Sequence, residues 1–151
     1  MNKLKEKIFA FILKHQPTRQ VNMPIWKNSK SIAILSQQAN IDDIIKLLSQ
    51  QGKEVSVFTM PEAKDICWLT DRPKSQVRDV LTAKQYDILI DLTQNTSLTM
   101  QYMAMYIKAS FKTGRYVRDG IHDLTIDTAA QAKPHYLFEQ IMRYIEMFGG
   151  K

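Results

Sequence analysis

Two stretches of hydroxyl, amide and carboxylate side chains have the chemistry to bind a sugar or an amide. Each stretch directly follows an apolar run that predicts a buried strand. In open α/β sheets, ligands bind beyond the carboxyl ends of the strands, where the strand order reverses. Helix capping and loop hydrogen bonding are the competing interpretation, because every strand-to-helix loop needs such residues. The candidate crevice residues are Ser36, Asn40, Asp91, Asn95 and Thr96.

A second set of candidates consists of basic residues that recur every three positions around Gly114. Lys112, Arg115 and Arg118 together have the charge to bind a phosphate or a nucleic acid. The alternative is a solvated sheet edge, where basic side chains discourage pairing with another strand.

Glycine spacing argues against the common nucleotide sites. The five glycines fit neither the dinucleotide-binding nor the P-loop pattern, and the loop at residues 36–40 has no glycine. We therefore expect no NAD, FAD or other cofactor.

Cysteine and histidine are too few and too dispersed to predict a metal site. Cys67 is the only cysteine, and no two of the three histidines have the spacing that seats zinc on a helix. We expect Cys67 to be a small buried hydrophobic residue. The absence of a disulfide pair predicts a reducing, cytoplasmic location.

Short apolar runs alternate with segments of helical spacing along most of the chain. This alternation predicts an α/β fold of three layers, Rossmann-like, with a mainly parallel sheet and helices on both faces. About eight residues separate Gly114 from Asp123. A helical crossover needs more residues, so a hairpin with an antiparallel edge strand stays open as an alternative for the last two strands.

The sequence divides into a basic N-terminal part, residues 1–30, and a single Rossmann-like domain, residues 31–151. Residues 1–30 contain seven basic side chains and one acidic one, and the rest of the chain is neutral. Residues 3–15 predict a helix with Leu4, Ile8, Phe11 and Ile12 on one side. Two interpretations stay open for this helix: packing on the domain or a second copy, or binding to RNA or an anionic membrane.

The helix predicted at residues 98–109 is apolar nearly all round. Such a helix is either buried within the domain or shared with a partner. Burial is the simpler interpretation, and a homodimer formed through this helix is the alternative.

Residues 68–74, 86–92 and 111–115 together resemble a family of small uncharacterised bacterial proteins. A more distant similarity, carried by Asp87 to Leu92, Ala109 and Gly114, is to the N-terminal half of heptosyltransferase-type GT-B glycosyltransferases. In that family, this half faces the acceptor and a second domain binds most of the nucleotide sugar. The resemblance implies an architecture and transfers no catalytic residue.

These observations predict a binding or accessory module without enzymatic activity. Such a module would bind an unidentified protein partner or a small ligand. The first alternative is a small enzyme acting on a sugar or nucleotide-like substrate in the candidate crevice. The second is binding of RNA or an anionic membrane through the basic N-terminal part.

Overall fold

The computed structural model describes residues 2–37, 40–94, 97–128 and 133–148. Its strands are β1 (Ser31–Leu35), β2 (Glu54–Phe58), β3 (Gln85–Asp91), β4 (Lys108–Arg115) and β5 (Leu124–Ile126). Its helices are α1 (Lys3–Lys14), α2 (Asp42–Gln50), α3 (Ser75–Thr82), α4 (Leu98–Tyr106) and α5 (Pro134–Phe148). No helix in these ranges is both long enough and apolar enough to cross a bilayer.

All five strands form one parallel sheet in the order β2-β1-β3-β4-β5. The predicted α/β class with a parallel sheet and helices on both faces is confirmed. This strand order reverses between β1 and β3, where α/β proteins of this topology bind their ligands. The carboxyl ends of β1, β3 and β4 therefore form the edge at which the candidate crevice is expected.

The two faces of the sheet carry separate cores. One face, which we call the α4 face, is covered by α1, α3 and α4 and includes Leu35 and Leu89. The other, the α5 face, is covered by α2 and α5 and includes Ile34 and Ile90. Because consecutive strand residues point to opposite faces, strands buried on both sides are apolar almost throughout, as β1 is.

The predicted antiparallel edge strand is wrong, because β5 runs parallel to β4. Residues 116–123 lead the chain back beside β4 without a helix. The Asp123 amide donates to the Lys112 carbonyl oxygen at 2.7 Å, which fixes the start of β5. Eight extended residues span about 26 Å. The chain needs only roughly 10 Å to return along β4 from Arg115 to the level of Lys112, a distance of three strand residues.

Helix α1 packs against α4 beside this crossover. Phe9 is fully buried and meets the Tyr102 ring edge-on at a centroid distance of 4.6 Å. Arg118 in the crossover pairs with Glu6, and its guanidinium lies over the Phe9 ring. The predicted inward face was only partly right, since Leu4 and Phe11 are exposed.

Helix α4 is shorter than predicted and lies within the chain. It ends at Tyr106, so Ala109 belongs to β4. Every residue from Leu98 to Met105 is buried by the rest of the chain. Burial within one molecule therefore accounts for its apolar composition, and a homodimer through α4 stays a prediction.

Candidate functional site

A buried carboxylate and histidine pair lies at the carboxyl end of β3. The Oδ2 atom of Asp91 is 2.8 Å from Nε2 of His122, and the two side chains are 6% and 1% exposed. The other carboxylate oxygen accepts hydrogen bonds from the Thr93 amide at 3.0 Å and the Thr93 hydroxyl at 2.6 Å. Asp91 is thus satisfied by three internal donors, as a buried charge requires.

Gly114 allows this pair to form. It lies beside Asp91 in the parallel register of β3 and β4. A Cβ atom at position 114 would be 2.8 Å from the Asp91 Cβ atom and 3.0 Å from Nε2 of His122. Any larger residue would push the crossover away from β3.

Side chains also connect the loops at the carboxyl edge. The side chain of Gln37, after β1, accepts a hydrogen bond from the Gln94 amide at 2.6 Å. Arg115, the last residue of β4, donates to the Gln94 carbonyl oxygen at 2.6 Å. These bonds fix the loops after β1 and β3 relative to each other at the point where the strand order reverses.

The predicted crevice residues are distributed unevenly at this edge. Ser36 and Asp91 are both buried at the carboxyl ends of neighbouring strands. Asn40 is exposed and does not cap α2, which begins at Asp42 after Ile41. Asn95 and Thr96 lie outside the described residues. His122 was not predicted as a site residue. An antiparallel edge strand gave no reason to expect the crossover at residues 116–123 beside β3.

The three basic candidates do not converge on one anion. Arg115 bonds to Gln94 at the carboxyl edge, and Arg118 pairs with Glu6 of α1. Lys112 instead lies beneath the end of α4, where its ammonium nitrogen is 2.8 Å and 2.9 Å from the carbonyl oxygens of Ala104 and Met105. It satisfies carbonyls that the end of a helix leaves without intrahelical donors.

The surroundings of Lys112 oppose its charge. The residue is 2% exposed, and burial, assisted by the nearby Arg19 guanidinium, lowers the pKa of its side chain to about 7. Asp123 acts in the opposite direction. Its carboxylate is engaged elsewhere, accepting from both terminal nitrogens of Arg19 and from the Lys112 backbone amide.

A cavity of about 730 Å³ lies at the amino end of β4, opposite the predicted crevice. Residues 16–22, which follow α1, close one side of it, and we call it the connector cavity. Its walls include Leu13, Pro17, Met105 and Ile107. Its charged lining residues in the described part of the chain are Arg19, Lys108 and Lys112, all basic. The volume lies in the range of small-molecule sites, roughly 300–1,000 Å³.

Cys67 is not the buried hydrophobic residue that was predicted. It is partly exposed beside a shallower cavity of about 540 Å³, which Arg72, Lys74 and Arg78 also line. A hydrogen bond from the Thr70 side chain lowers the pKa of the thiol. Within the described ranges, no three His, Cys, Asp or Glu side chains form a metal-binding group.

Comparison with known proteins identifies a family that includes this chain. A family model described as "Family of unknown function (DUF6913)" matches residues 2–148. The chain belongs to this family. The match includes α1 and the residues that close the connector cavity, so both lie within the DUF6913 region. No curated protein and no solved structure matched the chain, and these comparisons give the heptosyltransferase similarity no support.

Proposed function

We propose that this protein is a binding module that holds a small molecule in the connector cavity. The observation that carries the proposal is the cavity itself, which combines apolar walls with basic groups at one end of the sheet. Pockets of this size with a few placed polar groups are typical of small-ligand sites. The lining favours a ligand with an apolar body and an anionic group, which the exposed Lys108 would attract.

The test is a thermal-shift screen of small carboxylates and phosphate esters, with one variant that fills the cavity. A ligand that binds the folded chain raises its melting temperature. Ser110 is a half-buried lining residue on β4, and Ser110→Trp places an indole in the cavity. We expect this variant to lose the ligand-induced shift. The matched control is Ser49→Trp at an exposed position of α2, which should keep it.

A small enzyme at the carboxyl edge is the second candidate, and the His122–Asp91 pair favours it. Nδ1 of His122 is buried without a hydrogen-bond partner in the described ranges, and its other nitrogen is oriented by a carboxylate. This resembles the arrangement of a general base. If a sugar or nucleotide shifts wild type and Ser110→Trp equally, the ligand binds outside the connector cavity, which supports this candidate.

Three further predictions from the sequence remain separate proposals. A cytoplasmic location is supported by the single cysteine. A GT-B-like half-domain is supported only by its parallel α/β architecture, and fold alone carries no transferase activity. Binding of RNA or anionic membrane by α1 is supported by exposed Lys3, Lys7 and Lys14.

A further inference from the structure

Lys112 is placed to react as well as to cap a helix. Its backbone lies in the middle of β4, and its side-chain nitrogen reaches the carbonyl oxygens of Ala104 and Met105 near the end of α4. It is also one of the residues that line the connector cavity. A nearly buried lysine therefore borders a space large enough for a small molecule.

Two backbone carbonyl oxygens hold the Lys112 amine in place. A lysine ammonium group carries three N–H donors, whereas a neutral amine carries two and keeps a lone pair. In the described ranges, the Lys112 nitrogen has two acceptors, the carbonyl oxygens of Ala104 and Met105. A neutral amine can make both of these bonds with its two hydrogens and keep its lone pair for another interaction.

Burial and the Arg19 charge both favour the neutral form of Lys112. Burial lowers the pKa of Lys112 to about 7, so about nine-tenths of it is neutral at pH 8. An exposed lysine is less than about one-hundredth neutral at that pH. The charged groups that face Lys112 are Arg19, which favours the neutral amine, and Asp123, which favours the ammonium form.

We propose that the connector cavity takes a small anionic aldehyde or keto acid and that the Lys112 amine captures it reversibly as an imine. The inference rests on the proposed function, because it names the ligand class of the same cavity. The exposed Lys108 ammonium group attracts the anionic group, and Lys112 distinguishes a carbonyl compound from other anions. Lysines that form Schiff bases are commonly activated by desolvation in this way.

The chemistry needs no further reactant. The nitrogen lone pair attacks the carbonyl carbon, and one N–H proton moves to the carbonyl oxygen, which gives a carbinolamine with one N–H left. Its hydroxyl group takes up a proton from water and leaves as water, while the nitrogen lone pair forms the C=N bond of a protonated imine. The protonated imine keeps one N–H, which donates to one of the two α4 carbonyls, and addition of water returns the amine and the carbonyl compound.

The experiment traps the imine formed with glyoxylate on the full chain. The protein is incubated with glyoxylate and cyanoborohydride at pH 8, and the modified lysine is identified by peptide mass spectrometry. We expect the reduced adduct on Lys112 in preference to the exposed Lys108 at the rim of the same cavity. Adducts on exposed lysines with Lys112 unmodified would overturn the proposal, and this result needs no variant.

Two variants and one analogue sharpen the result. Lys112→Met should lose the adduct and Ser110→Trp should block it, whereas Lys46→Met, at an exposed position of α2 outside the cavity, should keep it. Glycolate keeps the carboxylate of glyoxylate and lacks its carbonyl group. If Ser110→Trp abolishes a thermal shift caused by glycolate, and glyoxylate gives no adduct on Lys112, the imine is refuted and the binding proposal stands. Ligand shifts that Ser110→Trp leaves unchanged would instead refute the proposed function.

Discussion

The lack of a side chain at Gly114 allows the crossover to lie against β3. We predict that Gly114→Ala lowers the free energy of unfolding by about 1–3 kcal/mol, the usual cost of overpacking a core. The new methyl group would lie 2.8 Å from the Asp91 Cβ atom and 3.0 Å from both the Asp91 carbonyl oxygen and Nε2 of His122, so these groups would have to shift. Urea unfolding monitored by circular dichroism measures the difference.

The control is Thr125→Ala at an exposed position of β5, where a change within about 0.5 kcal/mol is expected. If Gly114→Ala were as stable as the wild type, the close approach of β3, β4 and the crossover would be wrong.

Single residues also show what local sequence can reveal about a site. Asp91 was predicted at the carboxyl end of its strand because an apolar run before a polar loop is a local pattern. Its partner His122 is 31 residues away along the chain, and only the tertiary fold brings the two together. The low exposure of Lys112 was equally invisible, since its sequence neighbours give no sign that the end of α4 covers it.

At the scale of elements, α1 provides a clear comparison between two phenylalanines on one helix. Phe9 is 0% exposed and Phe11 is 64% exposed. We predict that Phe9→Ala lowers the free energy of unfolding by about 3–5 kcal/mol, because it leaves a cavity against Tyr102. Phe11→Ala should change it by less than about 1 kcal/mol. Denaturant unfolding of both variants tests this, and equal effects would contradict the docking of α1.

The helical spacing of α1 could not select the buried face by itself. Apolar residues occupy more than one side of the helix, so Leu4 and Phe11 fit a periodic pattern as well as the residues that pack do. The inward side is fixed by what lies opposite, namely α4 and the crossover. The direction of β5 has a similar origin, because loop length excludes a helical crossover and leaves an extended one available.

At the scale of the whole molecule, the charge distribution along the sequence is partly neutralised by folding. Residues 1–30 carry the net positive charge of the chain. In the structure, Lys5 pairs with Asp71 at 3.0 Å, and Arg19 pairs with Asp123 at 2.9 Å. The basic N-terminal part therefore packs against acidic groups of the domain.

The buried Lys112 should make the stability of the whole molecule depend on pH. Its pKa falls from 10.5 to about 7 on folding, so between these pH values the unfolded chain binds a proton that the folded chain does not. The free energy of unfolding therefore rises with pH across this window, by roughly 1 kcal/mol per pH unit from this group. Below pH 7 both states are protonated, and the full cost of burying the charge is present.

Urea unfolding of wild type and Lys112→Met at pH 7, 8 and 9 isolates this contribution, because other titrating groups are common to both proteins. We expect the stability of wild type relative to Lys112→Met to increase at each step. Lys108→Met serves as the control, since its exposed lysine should leave the pH dependence unchanged. Parallel curves for wild type and Lys112→Met would mean that the Lys112 side chain keeps its charge in the folded protein. The neutral amine that an imine requires would then have no thermodynamic support.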